Sequence, residues 1–279
     1  SSANAIEQYG LDAADFNNDG YVDIVTSVYG GGYNGRLYLW QNQGNVFGGG
    51  GWPAPVSIDY TEDTNYRIYK VKAANFDNDG WTDIVTAGRG GIGVDNWNLY
   101  LFENPSPGTD PFTLNSWTRH DLGYVSAATV QTVNDVSVAD LNNDRFPDVV
   151  SVDTLGQVLA WQNDRTPFNG AWVSTPIISS SITPTAMTAV AAGDMNNDGW
   201  CDVVSAEKYG RFTLSRNDWT PFDGGWVSEV RDNSSLNVTS VRLADLDTRY
   251  DSDEDVGDLD IVFGSAGSLT DQSADSPIM

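Results

Sequence analysis

Acidic and amide side chains recur in this chain at an alternating spacing that suits a loop around a cation. The first stretch reads DFNNDGYVD over residues 15–23. Oxygen-bearing side chains stand at positions 1, 3, 5 and 9 of this loop, and position 7 adds a backbone carbonyl. Glycine at position 6 permits the sharp turn. Oxygen ligands of this kind favour Ca²⁺ over Zn²⁺, which prefers His and Cys.

The same nine-residue pattern returns further along the chain, and this strengthens the metal interpretation. It reads NFDNDGWTD over 75–83, DLNNDRFPD over 140–148 and DMNNDGWCD over 194–202, and an expanded copy spans 245–260. Each regular copy carries three carboxylates, which repel one another strongly unless a cation lies among them. An Asx-rich turn without metal is the alternative, but four copies in register favour calcium, with up to five bound Ca²⁺ ions.

The predicted ligands are the side chains at positions 1, 3, 5 and 9 and the carbonyl oxygen at position 7 of each loop. In the first two loops they are Asp15, Asn17, Asp19, Tyr21 and Asp23, and Asn75, Asp77, Asp79, Trp81 and Asp83. In the third and fourth loops they are Asp140, Asn142, Asp144, Phe146 and Asp148, and Asp194, Asn196, Asp198, Trp200 and Asp202. In the expanded fifth loop they are Asp245, Asp247, Asp258 and Asp260.

Two loops depart from the regular pattern. Arg145 stands at position 6 of the third loop, where a positive φ costs more than it does for glycine. A guanidinium group that faced the site would also repel a metal ion, so we expect the weakest site in this loop. The fifth loop carries an insertion over 248–255, which leaves its position-5 ligand open between Asp251, Asp253 and Asp255.

The spacing of the loops predicts the architecture. Their starts lie 51–65 residues apart, which leaves room for about four short strands in each repeat. In the first repeat, stretches rich in Val, Ile, Tyr and Trp predict strands near 11–14, 24–25, 37–40 and 56–59. We therefore predict an all-β fold. It is a single β-propeller domain over 1–279, with about five four-stranded blades and a cation loop between the first and second strands of each blade.

A second motif follows the third expected strand of each repeat except the last. It reads WQN at 40–42, FEN at 102–104, WQN at 161–163 and SRN at 215–217, and a turn with Phe and Trp comes after it. The last blade is therefore incomplete. We expect it to be completed by the N-terminal stretch, by strands of a neighbouring subunit, or by further repeats of a longer chain, because an unpaired edge promotes aggregation.

The loops resemble the D-x-[DN]-x-D-G-x-x-D-[IVL]-V signature of the FG-GAP/VCBS repeat family, and integrin α-subunit propellers contain the same type of loop. The resemblance recurs in all five repeats. It implies a β-propeller, calcium in the loops and an extracellular setting, as a secreted or cell-surface protein. Members of the family include adhesion receptors, lectins and polysaccharide lyases, so membership determines the fold better than the function.

Composition narrows the range of partners. The net charge of −25 repels nucleic acid and anionic membranes. No apolar run is long enough for a membrane-spanning helix. Cys201 is the single cysteine, so an internal disulfide is excluded and any stapling must come from metals.

Candidate catalytic groups are sparse. His120 is the only histidine, and its place between Arg119 and Asp121 favours a strand surface over a general base. No G-x-S-x-G elbow occurs, and the lone Cys and His lie far apart in sequence. The many acidic pairs leave a two-carboxylate glycosidase open, although a solvated acidic surface is the favoured interpretation.

Aromatic side chains leave a second binding function open, because Trp rings can stack on sugars. Their recurrence in register favours packing between blades, whereas Trp97 and Trp219 lack counterparts and are the better surface candidates. The recurring ones are Trp40, Trp52, Trp161, Trp172 and Trp226. We expect a non-enzymatic adhesion, assembly or surface structural module whose partner is a cell-surface protein or glycan, or another copy of itself. The alternative is a carbohydrate-binding lectin or a module of a polysaccharide-degrading enzyme, and the third possibility is an enzyme in its own right.

Overall fold

The described part of the chain is built from strands and turns. The computed structural model describes residues 7–30, 33–47, 51–58, 67–89, 98–123, 132–170, 172–178, 186–232, 238–246 and 259–265. Eighteen strands and no helix occur within these ranges, so they contain no helix that could cross a membrane. The prediction of an all-β fold is confirmed.

The strands form four four-stranded antiparallel sheets and one two-stranded sheet. The first sheet contains β1 (Glu7–Ala14), β2 (Asp23–Gly30), β3 (Tyr33–Trp40) and β4 (Val56–Ser57), and the second contains β5 (Arg67–Ala74), β6 (Asp83–Arg89), β7 (Leu99–Glu103) and β8 (Thr118–Gly123). The third contains β9 (Val133–Ala139), β10 (Asp148–Asp153), β11 (Val158–Gln162) and β12 (Val173–Ile178), and the fourth contains β13 (Met187–Gly193), β14 (Asp202–Glu207), β15 (Arg211–Arg216) and β16 (Val227–Asp232). The fifth contains β17 (Val238–Ala244) and β18 (Asp260–Ser265).

Each four-stranded sheet is an antiparallel meander in which sequence order is spatial order. The second strand of each sheet begins at the last Asp of a loop and continues with β-branched residues, which pack well on a pleated surface. All six residues of β10 and of β14 are buried, because these strands lie inside their sheets and are covered on both faces. The register places Val149 of β10 between Val138 and Trp161.

Successive sheets pack against one another in a series. Apolar clusters fill the four spaces between them, and the first cluster joins Phe16 and Leu39 of the first sheet to Ile84 and Trp117 of the second. Equivalent clusters join the second sheet to the third, the third to the fourth and the fourth to the fifth. Burial of large side chains such as Phe16, which is fully buried, contributes about 1.5–3 kcal/mol each.

Polar groups on the first strands add a second link between sheets. Asp12 of β1 accepts a hydrogen bond from the backbone N–H of Ala73 in β5 at 2.9 Å. Asp135 of β9 accepts one from the N–H of Val190 in β13 at 3.2 Å, and Lys70 Nζ lies 3.8 Å from the other oxygen of Asp135. The first strands therefore form a continuous inner row from β1 to β17.

The predicted strands are found in the first sheet, although its fourth strand is described only over Val56–Ser57. The four-stranded repeat is thus confirmed for four sheets, whereas the described part of the fifth has two strands. Among the described strands, those of the first and fifth sheets make no contact comparable to the contacts between neighbouring sheets. Closure into a ring therefore stays a prediction.

Candidate cation-binding loops

The four regular acidic loops connect the first and second strands of the four-stranded sheets. Residues 15–22, 75–82, 140–147 and 194–201 lie between β1 and β2, β5 and β6, β9 and β10, and β13 and β14. The Asp at position 9 is in each case the first residue of the second strand. The predicted position of the loops is therefore confirmed for these four repeats.

Side chains of the first loop hold its own backbone in a tight turn. The carboxylate of Asp15 accepts hydrogen bonds from the N–H of Asp19 at 3.1 Å and of Gly20 at 2.7 Å. Asn17 Oδ1 also accepts from the N–H of Asp19, and Asp19 Oδ1 accepts from the N–H of Tyr21 at 2.9 Å. The predicted ligands at positions 1, 3 and 5 thus gather around one turn of the backbone.

The third and fourth loops repeat this arrangement almost atom for atom. Position 1 again accepts from the N–H groups of positions 5 and 6, with distances of 3.0 and 2.7 Å to Asp140 and of 3.1 and 2.8 Å to Asp194. Asp144 and Asp198 accept from the N–H of position 7, both at 2.9 Å. The same donor pattern therefore stands in three places on the molecule.

The second loop differs at its first position. Asn75 replaces Asp there, and its Oδ1 atom is buried without a hydrogen-bond partner in the described residues. Asp77 and Asp79 still accept from the N–H groups of Asp79 and Trp81, at 3.1 and 2.8 Å. An unpaired buried acceptor is costly, and a bound cation would give this oxygen a partner.

Arg145 adopts the backbone conformation that glycine adopts in the other loops. Its φ is 74°, against 87° for Gly20, 94° for Gly80 and 85° for Gly199. The expected positive φ is therefore present in Arg145, for which this conformation is less favourable than for glycine. Arg145 is exposed. A different arginine contacts the third loop, because Arg165 Nε lies 3.3 Å from Asp144 Oδ2.

The Asp at position 9 is the buried carboxylate of each regular loop. Asp23, Asp83 and Asp148 are at most 2 % exposed. One oxygen of Asp23 accepts from the N–H of Phe16 at 3.1 Å and the other from the N–H of Asn42 at 2.8 Å. The same two contacts recur in the second, third and fourth loops.

Burial perturbs these closing carboxylates. It raises the pKa of Asp23 to about 6 and that of both Asp83 and Asp148 to about 7, against the lowering effect of their backbone hydrogen bonds. Burial is also the main cause of the raised pKa of Asp202. The charges at positions 1 and 5 or 3 and 5 add to each rise, so a cation in the loop would relieve a real electrostatic cost.

The donor chemistry fits Ca²⁺, because each regular loop offers only oxygen atoms and carries three carboxylates. In the side-chain arrangement of the described residues, however, no group of three Asp, Glu, His or Cys side chains is set to hold a metal ion. The loops therefore supply the donor atoms and the charge, and the carboxylates must still converge when an ion binds.

The fifth loop is described only at its ends. Asp260 begins β18, and its Oδ2 accepts from the N–H of Leu246 at 2.9 Å, which is the position 9 to position 2 contact of the regular loops. Asp245 precedes this contact in the described part of the chain. Asp247, Asp258 and the three candidates for position 5 lie outside the described residues.

Sequence reasoning missed a set of contacts that join one loop to the next. Asn at position 4 has a φ of 55–61° in the regular loops. Its Nδ2 donates to the carbonyl of position 6 in the following loop. The three bonds are Asn18 to Gly80 at 3.0 Å, Asn78 to Arg145 at 3.0 Å and Asn143 to Gly199 at 2.9 Å. Asn at this position in all four regular loops was the available signal.

The Asn that follows each third strand has a structural role that the sequence motif alone did not reveal. Asn104 Nδ2 donates to the carbonyl of Thr82 in its own loop at 2.9 Å and to that of Phe16 in the preceding sheet at 3.0 Å. Asn163 and Asn217 repeat both contacts. These side chains fasten each loop to the neighbouring sheet.

The recurring aromatic turns of the second, third and fourth sheets pack between sheets, as predicted, whereas Trp52 of the first sheet is 37 % exposed. The rings of Trp117 and Phe16 meet edge to face with centroids 5.9 Å apart, and Trp172 and Phe76 do the same at 5.9 Å. Trp226 packs in the cluster that contains Leu141. Among the recurring Trp residues, Trp161 is also buried.

Trp219 is an exposed aromatic in the described part of the chain, with 65 % of its surface accessible. Its exposure agrees with the prediction that it is a surface aromatic without a Trp counterpart, although its backbone N–H donates to Asn217 just as that of Arg165 donates to Asn163. Only the side chain is peculiar to the fourth sheet. Trp97 lies outside the described residues.

His120 and Cys201 occupy packing positions. His120 Nε2 lies 2.8 Å from Glu103 Oε2, and its ring packs 4.8 Å from that of Phe168 in the third sheet. Cys201 is partly buried, and burial raises the pKa of its thiol to about 11. Neither His120 nor Cys201 is thus part of a described pair of nucleophile and base.

Comparison with known proteins agrees with the repeat pattern. The model of the FG-GAP-like repeat matches residues 15–86, 75–151 and 140–205. Among solved structures, BBS1N in its complex with ARL6DN is similar with a TM-score of 0.51 and 13% identity, covering 84% of this chain and 60% of that one. The rhamnogalacturonan lyase PL11 of Bacillus licheniformis is more distant, with a TM-score of 0.44 and 12% identity, covering 94% and 56%.

This chain thus spans less than two thirds of the length of either structure. No curated protein sequence matches it. At such low identity the first likeness concerns the fold alone, whereas the family match covers three consecutive repeats and more than half of the residues. The chain belongs to the FG-GAP-like repeat family.

Proposed function

We propose that this chain is a calcium-stabilised β-propeller module that serves adhesion or assembly outside the cell and has no catalytic activity of its own. One observation carries the proposal. Oxygen-only loops recur in register, and hydrogen bonds such as Asn18 to Gly80 and Asn78 to Arg145 join each loop to the next. An ion bound in one loop would therefore stiffen its neighbour as well.

Calcium would act as a structural cross-link in this proposal. The carboxylate and amide oxygens at positions 1, 3, 5 and 9 would hold it, with the carbonyl at position 7. It would offset the repulsion among three carboxylates in each regular loop, including Asp83, whose pKa is raised to about 7 by burial. A single cysteine allows no internal disulfide, so bound ions would be the cross-links that add their binding free energy to folding.

The net charge of −25 supports a role away from nucleic acid and anionic membrane surfaces. Calcium loops of ordinary affinity fill readily outside cells, where the free ion is abundant, which supports an extracellular setting. A protein or glycan at the cell surface, or a second copy of the chain, is then the natural partner.

Ring closure would follow the packing rule of the other interfaces. Leu246 stands at position 2 of the fifth loop, where Phe16 stands in the first, and it is 65 % exposed. Trp52 of the first sheet is 37 % exposed, whereas the equivalent Trp117 is 7 % exposed. We propose that Trp52 packs on Leu246 in the closed propeller, as Trp117 packs on Phe16.

Calorimetric titration of chelator-treated protein with Ca²⁺, and separately with Mg²⁺, tests the calcium proposal. We expect saturable Ca²⁺ binding and a higher melting temperature in calcium than in EDTA, since an ion that binds only the folded state stabilises it by mass action. Absence of binding heat together with equal melting temperatures would overturn it.

Carbohydrate binding is the second candidate, and the exposed Trp219 is the observation that favours it. An exposed indole can stack on a sugar ring, as aromatic faces do in many binding sites. A glycan array probed with the wild-type chain and with Trp219→Ala tests this. Signals that the substitution removes would favour a lectin, and a blank array would leave the adhesion or assembly role.

A further inference from the structure

The space between the fourth and fifth sheets contains a groove of about 460 Å³. Apolar side chains from both sheets line it, with Met195 and Leu214 on one side and Leu259 and Ile261 on the other. Polar and charged side chains of the fourth sheet and its loop border it as well, namely Asn196, Asp202, Arg216 and Glu229. Met195 and Leu214 are only partly buried in the cluster that joins these sheets. The fully buried Leu101 of the second sheet has the same place as Leu214 relative to the Asn that follows the third strand.

The three other interfaces show what fills this position. Trp117 packs on Phe16, Trp172 packs on Phe76, and Phe222 and Trp226 join the cluster of Leu141. In each case the aromatic turn belongs to the following sheet and lies on the position-2 residue of the loop before it. Met195 is the next position-2 residue in the series.

Hydrogen bonds between neighbouring sheets show that Met195 also lacks a second contact of the other interfaces. The Asn after the third strand donates to the carbonyl of the preceding position-2 residue, from Asn104 to Phe16, from Asn163 to Phe76 and from Asn217 to Leu141, at 2.8–3.0 Å. No described residue donates to the carbonyl of Met195. Residues 246–279 contain no Asn, and their only aromatic residues are Tyr250 and Phe263.

The edge of β18 is open as well. β14, the equivalent strand of the fourth sheet, pairs with β13 on one side and with β15 on the other. β18 pairs only with β17 among the described strands. All residues of β14 are buried and none of β18 is, and Val262 is 40 % exposed. An open apolar edge is a template for strand addition.

We propose that the groove and the open edge of β18 take up a β-hairpin from a partner polypeptide. The hairpin would have the chemistry of this chain's own outer hairpins, with an Asn at the end of its first strand and a Phe and Trp turn after it. The Trp would lie on Met195, the Asn would donate to the Met195 carbonyl, and the first strand of the hairpin would pair with β18.

The proposal gives the assembly role a defined surface, and in that respect it rests on the function proposed above. The contacts that carry it are apolar packing and strand pairing, although Asn196 and Asp202, two predicted ligands of the fourth loop, also border the groove. Hairpin binding and calcium binding are measured separately, so either can fail without the other.

A peptide of residues 208–232, which is the outer hairpin of the fourth sheet, serves as the probe. Labelled with fluorescein, it is titrated with the full chain in saturating calcium, and its anisotropy is recorded. We expect saturable binding, and about tenfold or greater weakening for the Trp226→Ala peptide, because buried Trp residues dominate interfaces of this kind.

Variants of the chain locate the binding site. We expect Leu214→Glu to weaken peptide binding about tenfold or more, because it places a charge among the apolar side chains that would pack on the hairpin. Leu155→Glu, on an exposed turn of the third sheet, is the matched control and should leave binding unchanged. If Leu214→Glu lowers the melting temperature sharply, Leu214→Ala replaces it, with a smaller loss of affinity expected.

Hydrogen exchange supplies an independent readout, since pairing with the peptide should slow exchange of the amides of β18. The proposal is overturned if the peptide does not bind at up to about 1 mM. It is also overturned if the Trp226→Ala peptide binds equally well, or if protection appears on strands other than those of the fourth and fifth sheets.

Discussion

The first and third loops share one hydrogen-bond pattern but differ in the charges around it. Position 1 accepts from positions 5 and 6 at 3.1 and 2.7 Å in the first loop and at 3.0 and 2.7 Å in the third. Gly20 and Arg145 both take a positive φ, at 87° and 74°. The turn is therefore imposed by the Asp and Asn side chains, and glycine only makes it less costly.

The surroundings of the two loops are less alike. Arg165 places its guanidinium 3.3 Å from Asp144 in the third loop, whereas Gly44 holds the corresponding place over Tyr21 in the first. The closing Asp148 also has a higher pKa than Asp23, about 7 against about 6. Equal backbone geometry thus does not imply equal affinity for a cation.

Removal of the Asp at position 9 should have the largest effect on stability, and this effect should be similar in the two loops. Asp148→Ala leaves the N–H groups of Leu141 and Asn163 buried without partners, which costs about 1–3 kcal/mol for each group. We expect a loss of about 3 kcal/mol in the free energy of unfolding for Asp148→Ala and for Asp23→Ala, measured by urea denaturation in calcium. Asp164→Ala, at an exposed turn of the third sheet, is the control. A loss as small as that of the control would show that these N–H groups find water instead.

In the absence of metal, the buried Asp of the first loop and that of the third should ionise at different pH. The folded-state pKa values of about 6 for Asp23 and about 7 for Asp148 lie above the ordinary value of 3.8, so protonation favours the folded chain. This stabilisation is fully present below the unfolded pKa and is lost as the pH rises through the folded pKa.

In EDTA we therefore expect the free energy of unfolding to fall between about pH 4 and pH 7. Calcium should reverse this trend, because the ion requires ionised carboxylates. Carboxyl ¹³C shifts should show Asp23 ionising before Asp148. The reverse order, or stability that rises with pH in EDTA, would contradict the difference between the loops.

The Asn that follows the third strand should contribute more to stability in the third sheet than in the first. Asn163 Nδ2 donates to Phe76 of the preceding sheet and to Pro147 of its own loop, whereas Asn42 Nδ2 donates to Val22 alone among the described residues. We expect Asn163→Ala to lower the free energy of unfolding by about 2 kcal/mol and Asn42→Ala by about 1 kcal/mol. Thermal denaturation of the two variants side by side provides the measurement. Equal losses would indicate that Asn42 also reaches a neighbouring sheet, as ring closure requires.

Relief of backbone strain at Arg145 should have a smaller effect, of the opposite sign. We expect Arg145→Gly to raise the free energy of unfolding by about 1 kcal/mol, because glycine takes a positive φ without a Cβ clash. Gly20→Ala, at the same position of the first loop, is the converse change and should destabilise. Urea denaturation measures both, and destabilisation by Arg145→Gly would show that the arginine side chain makes a compensating contact.

The smallest expected effect concerns the ion pair between Arg165 and Asp144. The guanidinium is largely exposed, so the pair contributes little to stability. Arg165→Gln should nevertheless raise the calcium affinity of the third loop about threefold, because a charge that competes with the ion is removed. Calorimetric titration checks this, and unchanged or weaker binding would show that Arg165 does not oppose the ion.

The loops and strands were largely predictable because their signals are local. The Asp and Asn pattern over 15–23 determines a turn through contacts between residues two to five apart, and the apolar run after Asp23 marks a buried strand. The ligand candidates of the four regular loops lie in the turns between first and second strands, and their role as ligands stays a prediction. Their metal occupancy stays a prediction.

The links between repeats were not predictable, because they join residues that are distant in the chain. Asn104 meets Phe16 across 88 positions and Asn78 meets Arg145 across 67. The contact of Arg165 with Asp144 likewise requires the third strand to return beside its loop. A repeated Asn in the sequence shows that something recurs, but its partner depends on how adjacent sheets pack.

The sequence by itself determined the repeat, the acidic turn and the strand that leaves it, since short-range hydrogen bonding and the pattern of apolar residues act within each unit. Only the tertiary structure decided which atoms join the units. The carbonyl of a position-2 residue and the amide of the next Asn come together through the packing of whole sheets. The same packing rule calls for a Trp on Met195 and an Asn donor to its carbonyl, and residues 246–279 contain neither.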